Sequence, residues 1–128
     1  MNEGLSKKER LKSRKLIEAL FSDGESFTVF PFRFIYMLPG SETIGQTKIA
    51  FSVSKRNFPH AVDRNLIKRQ MREIYRMNKS YLASDQFPPA AVMIIYSAKQ
   101  MMPFVQMKTR FCKGLDQLRE TIQEKVQG

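Results

Sequence analysis

The chain reads as an α+β sandwich, a small mixed sheet packed by helices in the order αββαβα, within one domain. Three observations predict this. Residues 26–38 and 48–54 alternate apolar and polar side chains with the period of a strand. Residues 61–78 and 103–122 repeat apolar side chains at helical spacing. The run "AAVMIIYS", at 90–97, is almost wholly apolar, as suits a strand covered on both faces. At 128 residues and 42% hydrophobic, the chain can bury a single modest core. The domain is expected to span 1–128, with frayed ends at 1–8 and 124–128.

The first helix is expected in "SKKERLKSRKLIEALFSDG". Ser6 with Glu9 forms a candidate capping box, and Ser13 is a second N-cap closer to the apolar part. Ile17, Leu20 and Phe21 then follow at i, i+3, i+4, and Gly24 is the stop. In "SFTVFPFRFIYML", Phe30, Phe32, Phe34, Tyr36 and Leu38 share one face of a strand, and Arg33, Ile35 and Met37 the other. Pro31 places its end of that strand at an edge or bulge. "KIAFSVS" alternates again, Ile49, Phe51 and Val53 against Ala50, Ser52 and Ser54, and is expected to form an antiparallel hairpin with the preceding strand. Asn57, Pro59 and Asp63 signal the start of a helix running to about Asn78. Pro103 opens the last one, with Phe104, Met107, Phe111, Leu115, Leu118 and Ile122 along its core face.

Charge narrows the function. Twenty-two Lys and Arg against 12 Asp and Glu leave a formal net charge of +10, a surplus that favours a polyanionic partner. It is concentrated: residues 55–79 hold eight Lys or Arg against two acids. At about 100° per residue, Arg64, Asn65, Lys68, Arg69, Arg72 and Arg76 fall on one arc, beside the stripe of Ile67, Met71 and Ile74. That arc holds five cations and no acid, with Glu73 outside it. A solvated helix face usually interleaves opposite signs at i, i+4, whereas Arg64, Lys68, Arg72 and Arg76 repeat like charge. Arginine predominates, and its planar fork suits phosphate. Ser54, Lys55, Arg56 and Asn57 lead straight into the helix, and their backbone N–H groups would add to an anion site at its N-terminus.

The run "RNLIKRQMRE", preceded by "FSVSKR" and "AVD", closely resembles the signature helix of the bacterial ribonuclease P protein subunit. "RLKSRKLIEALFSDG" is similar to that family's N-terminal segment, and the resemblance covers roughly 9–120. It implies a left-handed βαβ crossover, which general chain rules would not supply. It implies a subunit that joins a catalytic RNA and helps remove the 5′ leader of precursor tRNA. No obligatory protein partner is evident, and a lone cysteine with no apolar span or leader makes the cytoplasm the expected location. It further implies that Arg64, Asn65, Lys68, Arg69 and Arg72, with Lys55 and Arg56, meet the RNA. Ile17, Phe21 and Tyr36 would line a cleft for the single-stranded leader, and the Mg2+ would be required by the RNA. The chain departs from the pattern twice: Leu66 stands where Arg is common, and Ile17 where an aromatic is common.

A protein active site is not expected. Phosphodiester hydrolysis calls for metals on clustered carboxylates or a tuned acid–base pair. Here the acids are scattered, and His60 and Cys112 are the only residues of their kinds. Cys112, on an apolar helix face, reads as a buried thiol. No apolar run approaches the roughly 18 residues of a membrane span, and no secretory leader is evident. The alternatives are a basic ribosomal or ribosome-assembly protein, a helix-based DNA-binding regulator and a stand-alone nuclease. None of them accounts for the signature run.

Overall fold

Pro31 divides what the alternation reads as one strand into two. In the computed structural model, which describes residues 10–38, 47–78 and 89–127, Phe30 and Pro31 form a turn joined by a cis peptide bond. The turn separates β1 (Glu25–Val29) from β2 (Phe32–Met37), which pair as an antiparallel hairpin. Before them lies α1 (Arg14–Asp23), and after them β3 (Lys48–Val53), α2 (Ala61–Met77), β4 (Ala91–Tyr96) and α3 (Phe104–Gln127). The expected αββαβα order thus gains one strand. Phe30, expected beside Phe32 and Phe34, sits in the turn with 60% of its surface exposed.

The sheet order is β1-β2-β4-β3. β4 pairs antiparallel with β2 and parallel with β3, so the expected β2–β3 hairpin does not form. The physical reason lies in β4 itself. A strand apolar on both faces is best buried with a neighbour on each edge, and it takes the centre. The β3–α2–β4 unit is the crossover that results.

Side-chain alternation assigns the two faces. Phe32, Phe34, Tyr36, Ile49, Val53, Val92, Ile94 and Tyr96 belong to the larger core, under α2 and α3. Ile35, Ala91 and Met93 face the other way, where Leu11 and Leu20 cover them. α2 contributes Ile67, Met71 and Ile74, and α3 contributes Met107, Phe111, Leu115, Leu118 and Ile122, all at 0% exposure, as the helical spacing predicts. Phe104, expected on the same face, is 36% exposed in the first turn of α3. Phe32 meets Phe111 edge-on, with centroids 5.2 Å apart and planes at 84°, and Tyr96 at 5.7 Å and 72°. α3 lies so close to β2 that a Cβ on Gly114 would overlap the Phe34 ring.

The caps follow the sequence in part. Ser13 Oγ accepts from the Leu16 N–H at 3.2 Å, and the Gly24 N–H donates to the Leu20 carbonyl at 3.0 Å, closing α1 at both ends. The Ser6–Glu9 capping box lies outside the described residues. His60 caps α2 without a side-chain hydrogen bond, and Asp63 occupies the first turn. Asn78 ends α2, its Nδ2 donating to the Ile74 carbonyl at 2.7 Å.

Candidate nucleic-acid interface

α2 turns its apolar stripe into the core, and that burial fixes which side chains it offers to solvent. The turn before it is closed by Ser54, whose Oγ accepts from the backbone N–H groups of Arg56 at 3.2 Å and Asn57 at 3.4 Å. Asn57 Nδ2 ties this turn to the end of β4 through the carbonyls of Ser97 and Ala98. Lys55 and Arg56 stand exposed on a fixed loop.

The expected RNA-contacting residues fall into two groups. Lys68 and Arg72 are half-buried, Asn65 and Arg69 exposed, and none of the three cations makes an ion pair among the described residues. Arg64 is different. Its Nη1 donates to the carbonyls of Phe58 at 2.8 Å and Pro59 at 2.9 Å, so part of its fork closes the loop that precedes the helix. Its other three N–H donors, on Nε and Nη2, lie outside this pairing. Arg76 departs from the expected acid-free arc. Glu73 reaches it one turn away, Nη2 to Oε1 at 2.6 Å and Nε to Oε2 at 3.2 Å. The Arg76 hydrogen bond holds the Glu73 carboxyl below its ordinary value. An i, i+3 fork compensates charge that the angular reading left open.

Two cations were not among those expected. Residue 10 forms a parallel bridge with Ile49, and the Leu11 N–H donates to the Ile49 carbonyl at 3.0 Å, so the N-terminal segment lies along the outer edge of β3. Arg10 and Lys12 thereby join Arg72 around an open pocket of about 430 Å³ beside Phe51. The basic excess of the N-terminal segment was visible in sequence. Its docking on β3 is a long-range contact that no local pattern encodes.

The expected leader cleft is only partly assembled. Ile17, half-buried on α1, packs against the cluster of Leu20, Ile35 and Met93, and Phe21 on the same helix is 58% exposed. Tyr36 is on the opposite face, 5% exposed beneath α3. Its hydroxyl donates to Glu25 Oε2 at 3.2 Å, and its ring neighbours Phe27 at 6.2 Å. The structure therefore corrects the assignment of Tyr36. In a strand only every second residue shares a face, and Ile35 is the one that meets α1. The alternation of Tyr36 with Phe32 and Phe34 was the available signal. Burial, then the Glu25 hydrogen bond, pushes the Tyr36 phenol up to about 12.

Among the described residues no three His, Cys, Asp or Glu side chains gather in a metal-holding group. His60 is exposed at the α2 N-terminus, and Cys112 is half-buried, its thiol pushed up by desolvation. No described helix is long and apolar enough to cross a membrane.

Comparison with known proteins gives a consistent answer. The Ribonuclease P family model matches residues 5–119. The ribonuclease P protein component of Porphyromonas gingivalis is 43% identical over 79 residues, 62% of this chain and 58% of that one. That of Chlorobium phaeobacteroides is 41% identical over 81 residues, 61% of this chain and 56% of that one. The match spans less than two thirds of these relatives' own length. Among solved structures, the RNase P protein of Staphylococcus aureus superposes with a TM-score of 0.69 at 22% identity, covering 89% of this chain and 97% of that one. The RNase P protein of Thermotoga maritima gives 0.69 at 22%, covering 85% and 96%. At that identity the structural likeness is one of fold.

Proposed function

The chain belongs to the ribonuclease P protein family, and on that premise we propose that it is the protein subunit of a cytoplasmic ribonucleoprotein that trims precursor tRNA at its 5′ end. The observation that carries the reading is the set of Lys68, Arg69 and Arg72 on one helix, cations without carboxylate partners among the described residues, with Lys55 and Arg56 on the loop that enters it. Such a surface repels itself until phosphates neutralise it. Binding the catalytic RNA there releases its counterions, and Arg64 and Asn65 add contacts at the start of the helix.

The single-stranded leader would lie against α1 and the adjoining sheet face, over Ile17, Phe21 and Arg33. An exposed ring such as Phe21 can stack on an unpaired base, worth about 1–3 kcal/mol. Mg2+ bound by the RNA would activate the attacking water and stabilise the leaving oxygen. The protein's share is to lower electrostatic repulsion between two RNAs and to favour substrate with a leader over product without one.

Reconstitution tests this. A bacterial ribonuclease P RNA at low Mg2+ should cleave precursor tRNA at the 5′ mature end only when the protein is added. Absence of rescue with a well-matched RNA would overturn the assignment and leave a basic RNA-binding protein of the ribosomal kind. Cleavage by the protein alone would place the chemistry in its side chains instead.

A further inference from the structure

Where β4 runs out, three separate segments are fastened to one another. Ser97 donates to the Pro31 carbonyl from both its N–H, at 2.8 Å, and its Oγ, at 3.0 Å, fixing the β1–β2 turn. Asn57 grips the carbonyls of Ser97 and Ala98 and so fixes the Lys55–Arg56 loop. The buried Tyr96 hydroxyl donates to the Gln100 carbonyl at 2.7 Å and accepts from the Met102 N–H at 3.0 Å, fixing the connection to α3. These bonds enclose an open groove of about 610 Å³, lined by Phe30, Lys99, Met101, Met102, Pro103 and Gln106 among others. Its lining includes neither the α2 stripe nor the α1 face of the sheet, and it adjoins the first surface at the Lys55–Arg56 loop.

Its surface is unusual for a solvated loop. Phe30 keeps 60% of its area exposed although its turn is held by two hydrogen bonds, and Met101 is 42% exposed beside it. A ring that contributes so little to the core, on backbone so firmly held, is placed for contact. The charge around it identifies the partner. Residues 97–115 contain Lys99, Lys108, Arg110 and Lys113 and no acid. Arg110 and Lys113 continue from Gln106 along one face of α3 at i+4 and i+3 spacing, and the Asn57 bonds bring Lys55 and Arg56 to the other end of the loop. An apolar slot alone would suit a peptide or a second copy. A second copy would oppose two cationic rims on chains that each carry +10.

We propose that this groove holds unpaired RNA, with a base stacked on Phe30 against Met101 and the flanking phosphates on Lys99 and the Lys55–Arg56 loop. Combining a sequence-tolerant aromatic platform with a cationic track is how proteins bind single strands without reading sequence. The choice of RNA as the polyanion rests on the subunit reading given above.

The test uses the full chain with 13C-labelled methionine methyls, titrated with an unpaired oligoadenylate of about ten nucleotides. The Met101 and Met102 methyl signals should shift and saturate together with binding. Phe30→Ala should weaken binding by about tenfold, and Phe30→Tyr should restore it. Lys99→Glu should weaken it independently, with thermal unfolding unchanged in both. Shifts restricted to Met71 or Met77 of α2, with Met101 and Met102 still, would overturn the proposal. So would Met101 and Met102 shifts produced by phosphatidylglycerol vesicles and not by RNA, or by protein concentration alone. Failure to rescue a ribonuclease P RNA would sink the subunit assignment without moving these signals, so the two failures are separable.

Discussion

The Tyr36 hydroxyl donates to Glu25 across the β1–β2 hairpin, and the same carboxylate pairs with Lys125 near the end of α3. One acid thus fastens the first strand both to its neighbour and to the last helix. The Lys125 hydrogen bond, with a smaller share from Tyr36, holds Glu25 below its ordinary value of 4.5. The phenol is held in its neutral form, up to about 12.

Stability should therefore decline at both ends of the pH range. For Tyr36 the folded value lies above the unfolded value near 10, so its contribution is full below about pH 10 and is lost as pH rises toward about 12. For Glu25 the folded value is depressed, so its contribution is present above 4.5 and is lost as pH falls through the folded value. Tyr36→Phe should flatten the alkaline decline in urea midpoints measured between pH 8 and 12, leaving the share that belongs to Tyr96. An unaltered alkaline slope would contradict the coupling.

Gly114→Ala should destabilise the fold despite alanine's better helix propensity. The added methyl meets the Phe34 ring, and overpacking of that kind costs about 1–3 kcal/mol against a propensity gain near 1 kcal/mol. Denaturant unfolding of the double variant Gly114→Ala/Phe34→Leu should show a loss smaller than the two single losses added together.

Within the basic helix, the arginines should separate by behaviour. Replacing Lys68 and Arg72 by Ala should lower the salt dependence of RNA binding by roughly one to two units of slope, with stability retained. Arg64→Ala should lower stability as well, because it releases the carbonyls of Phe58 and Pro59. Arg76→Ala should alter RNA affinity least, its charge being shared with Glu73. Filter binding over a salt series, paired with thermal melts, reads all three.

Phe21→Ala should weaken binding of precursor tRNA carrying a leader by about five- to a hundredfold while sparing mature tRNA. Tyr36→Phe should leave that ratio unchanged, since the ring lies beneath α3. A loss in ratio with Tyr36→Phe would restore the sequence-based assignment.

Much of this architecture is visible in the chain alone. The stripes of α2 and α3 follow from periodicity and the two-faced burial of β4 from its unbroken apolar run, because helix and strand geometry act over a few residues. Pro31 was read as an edge or bulge, and it proved to be a hairpin turn, which alternation cannot distinguish. The insertion of β4 between β2 and β3 was not legible, since strand order depends on which burials are satisfied across the whole chain. The cationic residues were legible as a set but not as individuals. Whether an arginine reaches a phosphate, a carbonyl at its own loop or a glutamate one turn away is decided by side-chain geometry. Tyr36 was misplaced for a different reason: a resemblance carried it to the cleft although its own alternation put it in the core.

The N-terminal segment along β3 has a consequence for solubility. An outer strand invites pairing with other chains, and natural sheets discourage this with cover and with charge. Here Leu11 occupies the Ile49 carbonyl, and Arg10, Lys12 and Arg72 surround the adjoining pocket. Positive charge at this edge would also discourage edge-to-edge association. High salt, or excess RNA fragments that neutralise them, should promote self-association of the free protein, and the assembled particle would need this protection least.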